Sequence, residues 1–315
     1  MICLSRIIEL SNYHSADRKN DIELPFKRQA TLRSPRTLLK PSMKKLLWIV
    51  LAIMLGTPQT TKAQQDMNQT ARQQELAALA AAEAAGNKKT NNDDADTTML
   101  RVKKISVDGA VKAEDVPSLM AANGVAWHSL DNAPWEDRFP YRPKVQVAIA
   151  HTGKEILLAW DVDEQCVRAE ATADGGAVWQ DSCCELFFQP EGSDNYYNIE
   201  CNCGGKLLVQ GGIVGTERPV ASAELMAKVK RCSSLGSEPF PLTDEPRHWQ
   251  LCEVIPVEAF FLDDISDLSG MQARGNLYKC GDYLSQPHYL AMFPIHLPEK
   301  PAFHCPQFFQ TLSME

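Results

Sequence analysis

Between Trp179 and Gly205 the chain reads WQDSCCELFFQPEGSDNYYNIECNCGG, and this stretch concentrates side chains able to hold a small polar molecule. Cys184, Leu186 and Phe188 alternate with Cys183, Glu185 and Phe187, the period-2 pattern of a strand. Residues 191–195 are turn chemistry, after which Tyr197, Ile199 and Cys201 alternate with Asn198, Glu200 and Asn202. The pair of strands predicts a polar row of Glu185, Asn198, Glu200 and Asn202, with Asp181 and Trp179 at its mouth. A flat aromatic face beside carboxylates and amides suits a sugar. The ring packs on C–H surface while the polar groups take directional bonds from hydroxyls.

The same residues carry a family resemblance. Trp179, Asp181 and Glu185 stand as the Trp-x-Asp-x-x-x-Glu element of carbohydrate-binding module family 9, and the chain resembles the secreted bacterial, family 9-like branch. Two further segments agree: Gly270 to Asp282, containing Arg274, Asn276, Tyr278 and Lys279, and the run Phe303, His304, Pro306, Phe308, Phe309. The likeness spans Met99 to Glu315. It implies a β-sandwich that holds a sugar between two tryptophans, with Trp179, Glu185 and Asn276 as ligand-binding positions. No tryptophan lies between Gly270 and Asp282, where the second ring is expected; Tyr278 or Lys279 occupies that neighbourhood. The resemblance also admits calcium, for which Asp161, Asp163 and Glu164 are the candidate acidic cluster.

The same residues admit other chemistry. Glycoside hydrolysis needs two carboxyls about 5–9 Å apart, and Asp181 with Glu185 is the candidate pair, but nothing in their spacing selects catalysis over binding. A third reading is an interaction sandwich that has lost its sugar groove. Gly-x-Ser-x-Gly, His-Glu-x-x-His and phosphate-loop motifs are absent from the sequence. Cys183 and Cys184 are adjacent and Cys201 and Cys203 are two apart, neither being the spacing of a zinc knuckle. The expectation is therefore no metal at these pairs, buried cysteines acting as small apolar residues, and some disulfide bonding. His288, His296 and His304 sit among prolines and read as turn-packing residues.

The elements that position these groups occupy only part of the 315 residues. Met43, Lys44 and Lys45 precede the apolar run Leu46–Leu55, and Thr61-Lys62-Ala63 offers a cleavage site. Ten apolar residues are too few for a bilayer, which needs about 20, so 43–63 reads as a signal peptide and export to the periplasm or exterior follows. Residues 1–42 then read as a non-native upstream extension. The first 63 residues hold 11 Lys/Arg and 4 Asp/Glu, leaving 21 basic and 36 acidic residues and a net charge near −15. That balance argues against nucleic acid and anionic membranes as partners.

Residues 64–98, rich in Ala, Gln, Asn and Asp, read as a low-complexity linker. From residue 99 onward, short strands broken by Gly, Pro, Asn and Asp predict an all-β sandwich of immunoglobulin or jelly-roll type. Val145–Ile149 and Glu155–Val162 flank a hairpin signal, His151 to Lys154. Further strands are expected over 167–172, 183–189, 196–202, 206–210, 226–232, 249–255, 273–280 and 289–293. Helix is expected only over 113–122 and 257–262.

Overall fold

The computed structural model describes residues 99–297 and 300–315. The expected upstream extension, signal peptide and linker lie outside the described residues. No helix among the described residues is long and apolar enough to cross a membrane.

The first strands are β1 (Met99–Lys104), β2 (Trp127–Ser129), β3 (Lys144–His151), β4 (Glu155–Glu164) and β5 (Val167–Ala169). The central ones are β6 (Cys183–Gln189), β7 (Tyr196–Asn202), β8 (Leu207–Gly212), β9 (Lys230–Ser233) and β10 (Phe240–Thr243). The chain closes with β11 (Arg247–Pro256), β12 (Gln272–Cys280), β13 (Tyr289–Ala291) and β14 (Gln310–Met314). Two short helices, α1 (Val116–Ala122) and α2 (Ala223–Met226), accompany them. Residues 257–262 form one 3₁₀ turn, Val257–Ala259, in place of the expected helix.

Hydrogen bonding runs in the order β8-β7-β6-β12-β14-β1-β3-β4-β11-β9, with β13 added to β12 and β2 to β3. The joint is β1. Its Met99–Val102 stretch pairs in parallel with β14, and its Lys103–Lys104 stretch pairs in parallel with β3. The path therefore folds into two half-sheets whose facing side chains form the main core, among them Trp160, Trp249, Phe188, Tyr197 and Phe260. The fold is the expected β-sandwich with few short helices.

The hairpin β3–β4 closes as its sequence demands: Thr152 N–H bonds to the Glu155 carbonyl at 2.9 Å, and Gly153 takes φ 90°, where a side chain would be strained. The outer face of the β3–β4–β11 half is covered by α1, with Val116 and Met120 on Ala148, Leu157 and Val254. The outer face of the β6–β7–β12 half is covered by residues around Trp135 and by the C-terminal segment, with Phe303, Cys305 and Phe309 against Phe187, Tyr196 and Tyr278. Both faces of β6 and β7 are thus buried, and every residue of β7 is inaccessible. Gly275 shows how close this packing is: a Cβ there would collide with the Phe187 carbonyl on β6 and the Leu312 side chain on β14.

Candidate functional site

The antiparallel register of β6 with its neighbours sets which side chains meet. Glu185 stands opposite Glu200 on β7 and Tyr278 on β12, while Cys183 stands opposite Asn202 and Cys280. Directly opposed residues share a face, so Glu185, Asn198, Glu200, Asn202, Asn276 and Tyr278 belong to the outer face, beneath the C-terminal segment. Lys279, one residue on from Tyr278, belongs to the inner face. The expected row of Glu185, Asn198, Glu200 and Asn202 thus shares one face, and the pleat sets only Lys279 apart from it.

Asp181 and Asn202 serve the backbone. Asp181 accepts the N–H groups of Glu170 and Ala171, each at 3.0 Å, and the Asn202 amide at 2.8 Å, and its carboxylate pairs with Arg168 at 3.1 Å. Asn202 accepts from Gly204 N at 3.1 Å and Lys206 N at 2.8 Å, which shapes the β7–β8 turn. Short polar side chains saturating turn N–H groups leave little for a ligand. The Asp181 carboxylate, read as a ligand contact or as half of a hydrolytic pair with Glu185, is engaged by these four partners.

Asn276 is likewise committed. Its Oδ1 accepts from Leu277 N at 2.9 Å and Phe293 N at 3.0 Å, and its Nδ2 donates to the Phe293 carbonyl at 3.1 Å, tying the segment after β13 to β12. Tyr278 stacks face to face on Phe303, centroids 4.0 Å apart and planes within 3°, with its hydroxyl donating to the Phe303 carbonyl. The chain's own phenylalanine thus takes the stacking surface expected for a sugar. Asn198 donates to Glu200 at 2.8 Å and to Gln210 at 3.2 Å, while its Oδ1 has no hydrogen-bond partner among the described residues. Glu185 receives the Cys280 thiol at 3.1 Å.

Lys279 sits in the core between the half-sheets. Its Nζ donates to Glu164 Oε1 at 2.7 Å, to the Cys280 carbonyl at 2.9 Å and to His288 Nε2 at 2.9 Å. His288 Nδ1 donates to the Gln286 carbonyl at 3.0 Å, and its Nε2 lies 2.9 Å from Lys279 Nζ and 3.2 Å from Glu164 Oε1. Burial and Lys279 both lower its pKa. Glu164 also accepts from Trp249 Nε1 at 3.0 Å. Burial alone would raise the Glu164 pKa, but Lys279 and the contacts with His288 outweigh it and hold the carboxylate at about 2. The proposed calcium cluster is therefore divided: Glu164 points into the core, whereas Asp161 and Asp163 point outward to Gln250 and His248. Alternation along β4 is the reason.

Of the eight candidate residues, seven are at most 1% exposed, and Trp179 alone reaches the surface, half-buried against the outer-face aromatic cluster. It lies in the 3₁₀ turn Val178–Gln180, pinned by the buried Val178. The loop after β12 docks on this turn: Asp282 N donates to the Trp179 carbonyl at 3.3 Å and Tyr283 N to the Gln180 carbonyl at 3.1 Å. Tyr283, on that docked loop, is 50% exposed, and the Arg168 guanidinium lies over its ring at 5.4 Å.

Sequence reasoning missed Tyr283, Arg218 and the role of His304. Arg218 lies over the Tyr196 ring at 3.8 Å, donates to the Tyr196 carbonyl at 2.7 Å and approaches His304 Nδ1 at 3.1 Å. Tyr196 hydroxyl meets the same nitrogen at 2.9 Å. The usable signal was His304 in the C-terminal motif; Arg218 lies in a loop with no pattern of its own. A separate open cleft of about 540 Å³ is lined by Asp174, Lys206, Arg231, Ser233 and Ser237, and its charges are engaged internally, Arg231 with Asp174 at 2.8 Å and Lys206 with the Ser237 carbonyl at 2.9 Å.

The family model for carbohydrate-binding family 9 matches residues 114–314. A solved structure from Bacteroides uniformis, described as a candidate carbohydrate-binding protein, is 51% identical, covers 69% of this chain and 99% of its own, and superposes with a TM-score of 0.68. A family 9 module from Caldicellulosiruptor kristjanssonii, solved with cellotriose and with glucose, is 10% and 11% identical over 69% of this chain and 93% and 96% of its own. Its TM-scores of 0.44 and 0.41 are too low to transfer any residue role. No curated protein matches the chain. With a family match over most of its length and a half-identical relative covered almost end to end, the chain belongs to carbohydrate-binding family 9.

Proposed function

We propose that this domain binds carbohydrate without cleaving it, and that the sugar packs on the surface formed by Trp179 and Tyr283. The observation that carries the reading is that Trp179 is the sole predicted contact at the surface, with a second, exposed ring fastened beside its turn by backbone hydrogen bonds. Arg168 and Glu170, ion-paired at 2.9 Å at the same rim, supply donors and acceptors for hydroxyls. The tyrosine supplies the second ring; it lies just beyond Asp282, outside the stretch Gly270 to Asp282 that holds no tryptophan.

Export completes the proposal. A basic start, a ten-residue apolar run and a small-residue cleavage site imply that the mature chain begins near Gln64 and acts in the periplasm or outside the cell, within a polysaccharide-use system. Intact mass of the protein from its host's envelope tests this; a species retaining residues 1–42 overturns it.

A glycan array followed by calorimetry tests the binding. Trp179→Ala and Tyr283→Ala should each weaken the best ligand by about tenfold or more, the loss expected from one aromatic platform, with melting temperature nearly unchanged. Unaltered affinity in both folded variants would sink the assignment of the platform, and release of shortened glycans would replace binding by hydrolysis.

A further inference from the structure

Three cysteine pairs face each other in register across the sheets: Cys183 with Cys280, Cys184 with Cys201, and Cys232 with Cys252. The first differs from the others in having a carboxylate at hand. Cys183 and Glu185 are two apart on β6 and so point the same way, while Cys280 comes from β12. One ligand atom from each of the three lies within 4.8 Å of the other two, and all three residues are buried. The Cys280 sulfur is 3.1 Å from Glu185 Oε1 and 3.5 Å from the Trp179 carbonyl.

Two thiols and a carboxylate at that spacing match three corners of a tetrahedral donor set. With Zn–S about 2.3 Å and Zn–O about 2.0–2.2 Å, the ligand atoms of a zinc site stand roughly 3.3–3.8 Å from one another. Sulfur donors disfavour calcium and magnesium, which take oxygen, and favour zinc. Glu200, opposite Glu185 in register, adds negative charge to the same face. We propose that Cys183, Glu185 and Cys280 form a zinc-type metal site that fastens β6 to β12 beneath the Trp179 turn. Spacing within either sequence segment conceals it, because the two sulfurs come from strands 97 residues apart. Without metal, burial raises the pKa of both thiols, which stay protonated. Binding M²⁺ displaces both thiol protons to solvent, forms two metal–sulfur bonds and one metal–oxygen bond, and changes no oxidation state.

The experiment uses the whole protein, kept reduced and stripped by a chelator, then titrated with Co(II). Uptake of a single equivalent with a thiolate-to-cobalt charge-transfer band in the near ultraviolet, erased by Zn(II), is the expected result. Cys183→Ala should lower that band by roughly half, since one of two thiolates is lost. Cys184→Ala, one residue along and facing the core, should leave it unchanged. Wild-type protein that takes up no Co(II) overturns the proposal. So does a Cys183–Cys280 disulfide found by peptide mapping of the native protein, or a Cys184→Ala loss equal to that of Cys183→Ala. The wild-type titration decides even if a variant fails to fold, and none of these readouts depends on sugar binding.

Discussion

The two faces of the β6–β7–β12 half-sheet bury polar groups in opposite ways. On the inner face Lys279, Glu164 and His288 make a closed set in which each charge has its counter-charge and each donor an acceptor. On the outer face Glu185 and Glu200 stand side by side among thiols and amides, and Asn198 Oδ1 has no hydrogen-bond partner among the described residues. A closed set maintains the fold. Acceptors and soft thiol donors gathered on one face can take a ligand. Adjacent residues of β12 serve the two ends: Tyr278 and Cys280 go outward, Lys279 inward.

The sharpest way to break this contrast is Lys279→Met. Removing one partner of a buried pair leaves Glu164 uncompensated and should cost about 3–5 kcal/mol in denaturant unfolding at neutral pH. Adding Glu164→Gln should recover part of the loss. A cost below about 1 kcal/mol would mean that the inner set is ornamental to stability.

Acid should act through the same pair. Glu164 has its pKa lowered to about 2 in the fold, against 4.5 unfolded, so its contribution is full above 4.5 and is lost as pH falls toward 2. The size is about 3 kcal/mol. Wild type should show this fall, and Lys279→Met should lack most of it.

Glu253 gives a third, opposite test. Its Oε2 accepts from Trp160 Nε1 at 3.0 Å, its Oε1 has no hydrogen-bond partner among the described residues, and burial pushes its pKa up to about 7 despite Trp160 and Arg231. A raised acid favours the folded state while protonated, so stability should decline as pH rises from 4.5 to 7. Glu253→Gln should remove that decline and gain about 3 kcal/mol at pH 8. A variant with the wild-type pH profile would show that Glu253 is hydrated.

The smallest effect belongs to the surface. Trp179→Ala should lower stability by only about 1 kcal/mol, whereas the fully buried Trp160→Ala should lose about 3–5. Equal losses would place Trp179 in the core and remove the platform.

Much of the scaffold was legible in the chain. The boundaries of β6 and β7 and the β3–β4 hairpin follow from alternation and turn residues, which are local properties. β1 and β14 were missed because their sequences, MLRVKK and QTLSM, carry no strong pattern; they are strands because each finds a partner distant in sequence. Trp179, read as a surface ring from the loop residues before it, reaches the surface in the structure.

Composition and period by themselves thus determined that this is a sandwich, where its strands run and which side chains share a strand face. Whether a face meets water was decided by the tertiary structure alone. Residues 303–309 fold back over the outer face, putting Phe303 on Tyr278 and burying the acid row; the loop after β12 docks on the Trp179 turn, and the β6–β12 register sets Cys280 opposite Cys183. A period-2 pattern tells which residues point together. Exposure and ligand geometry depend on contacts between segments far apart in sequence, and no local pattern encodes those.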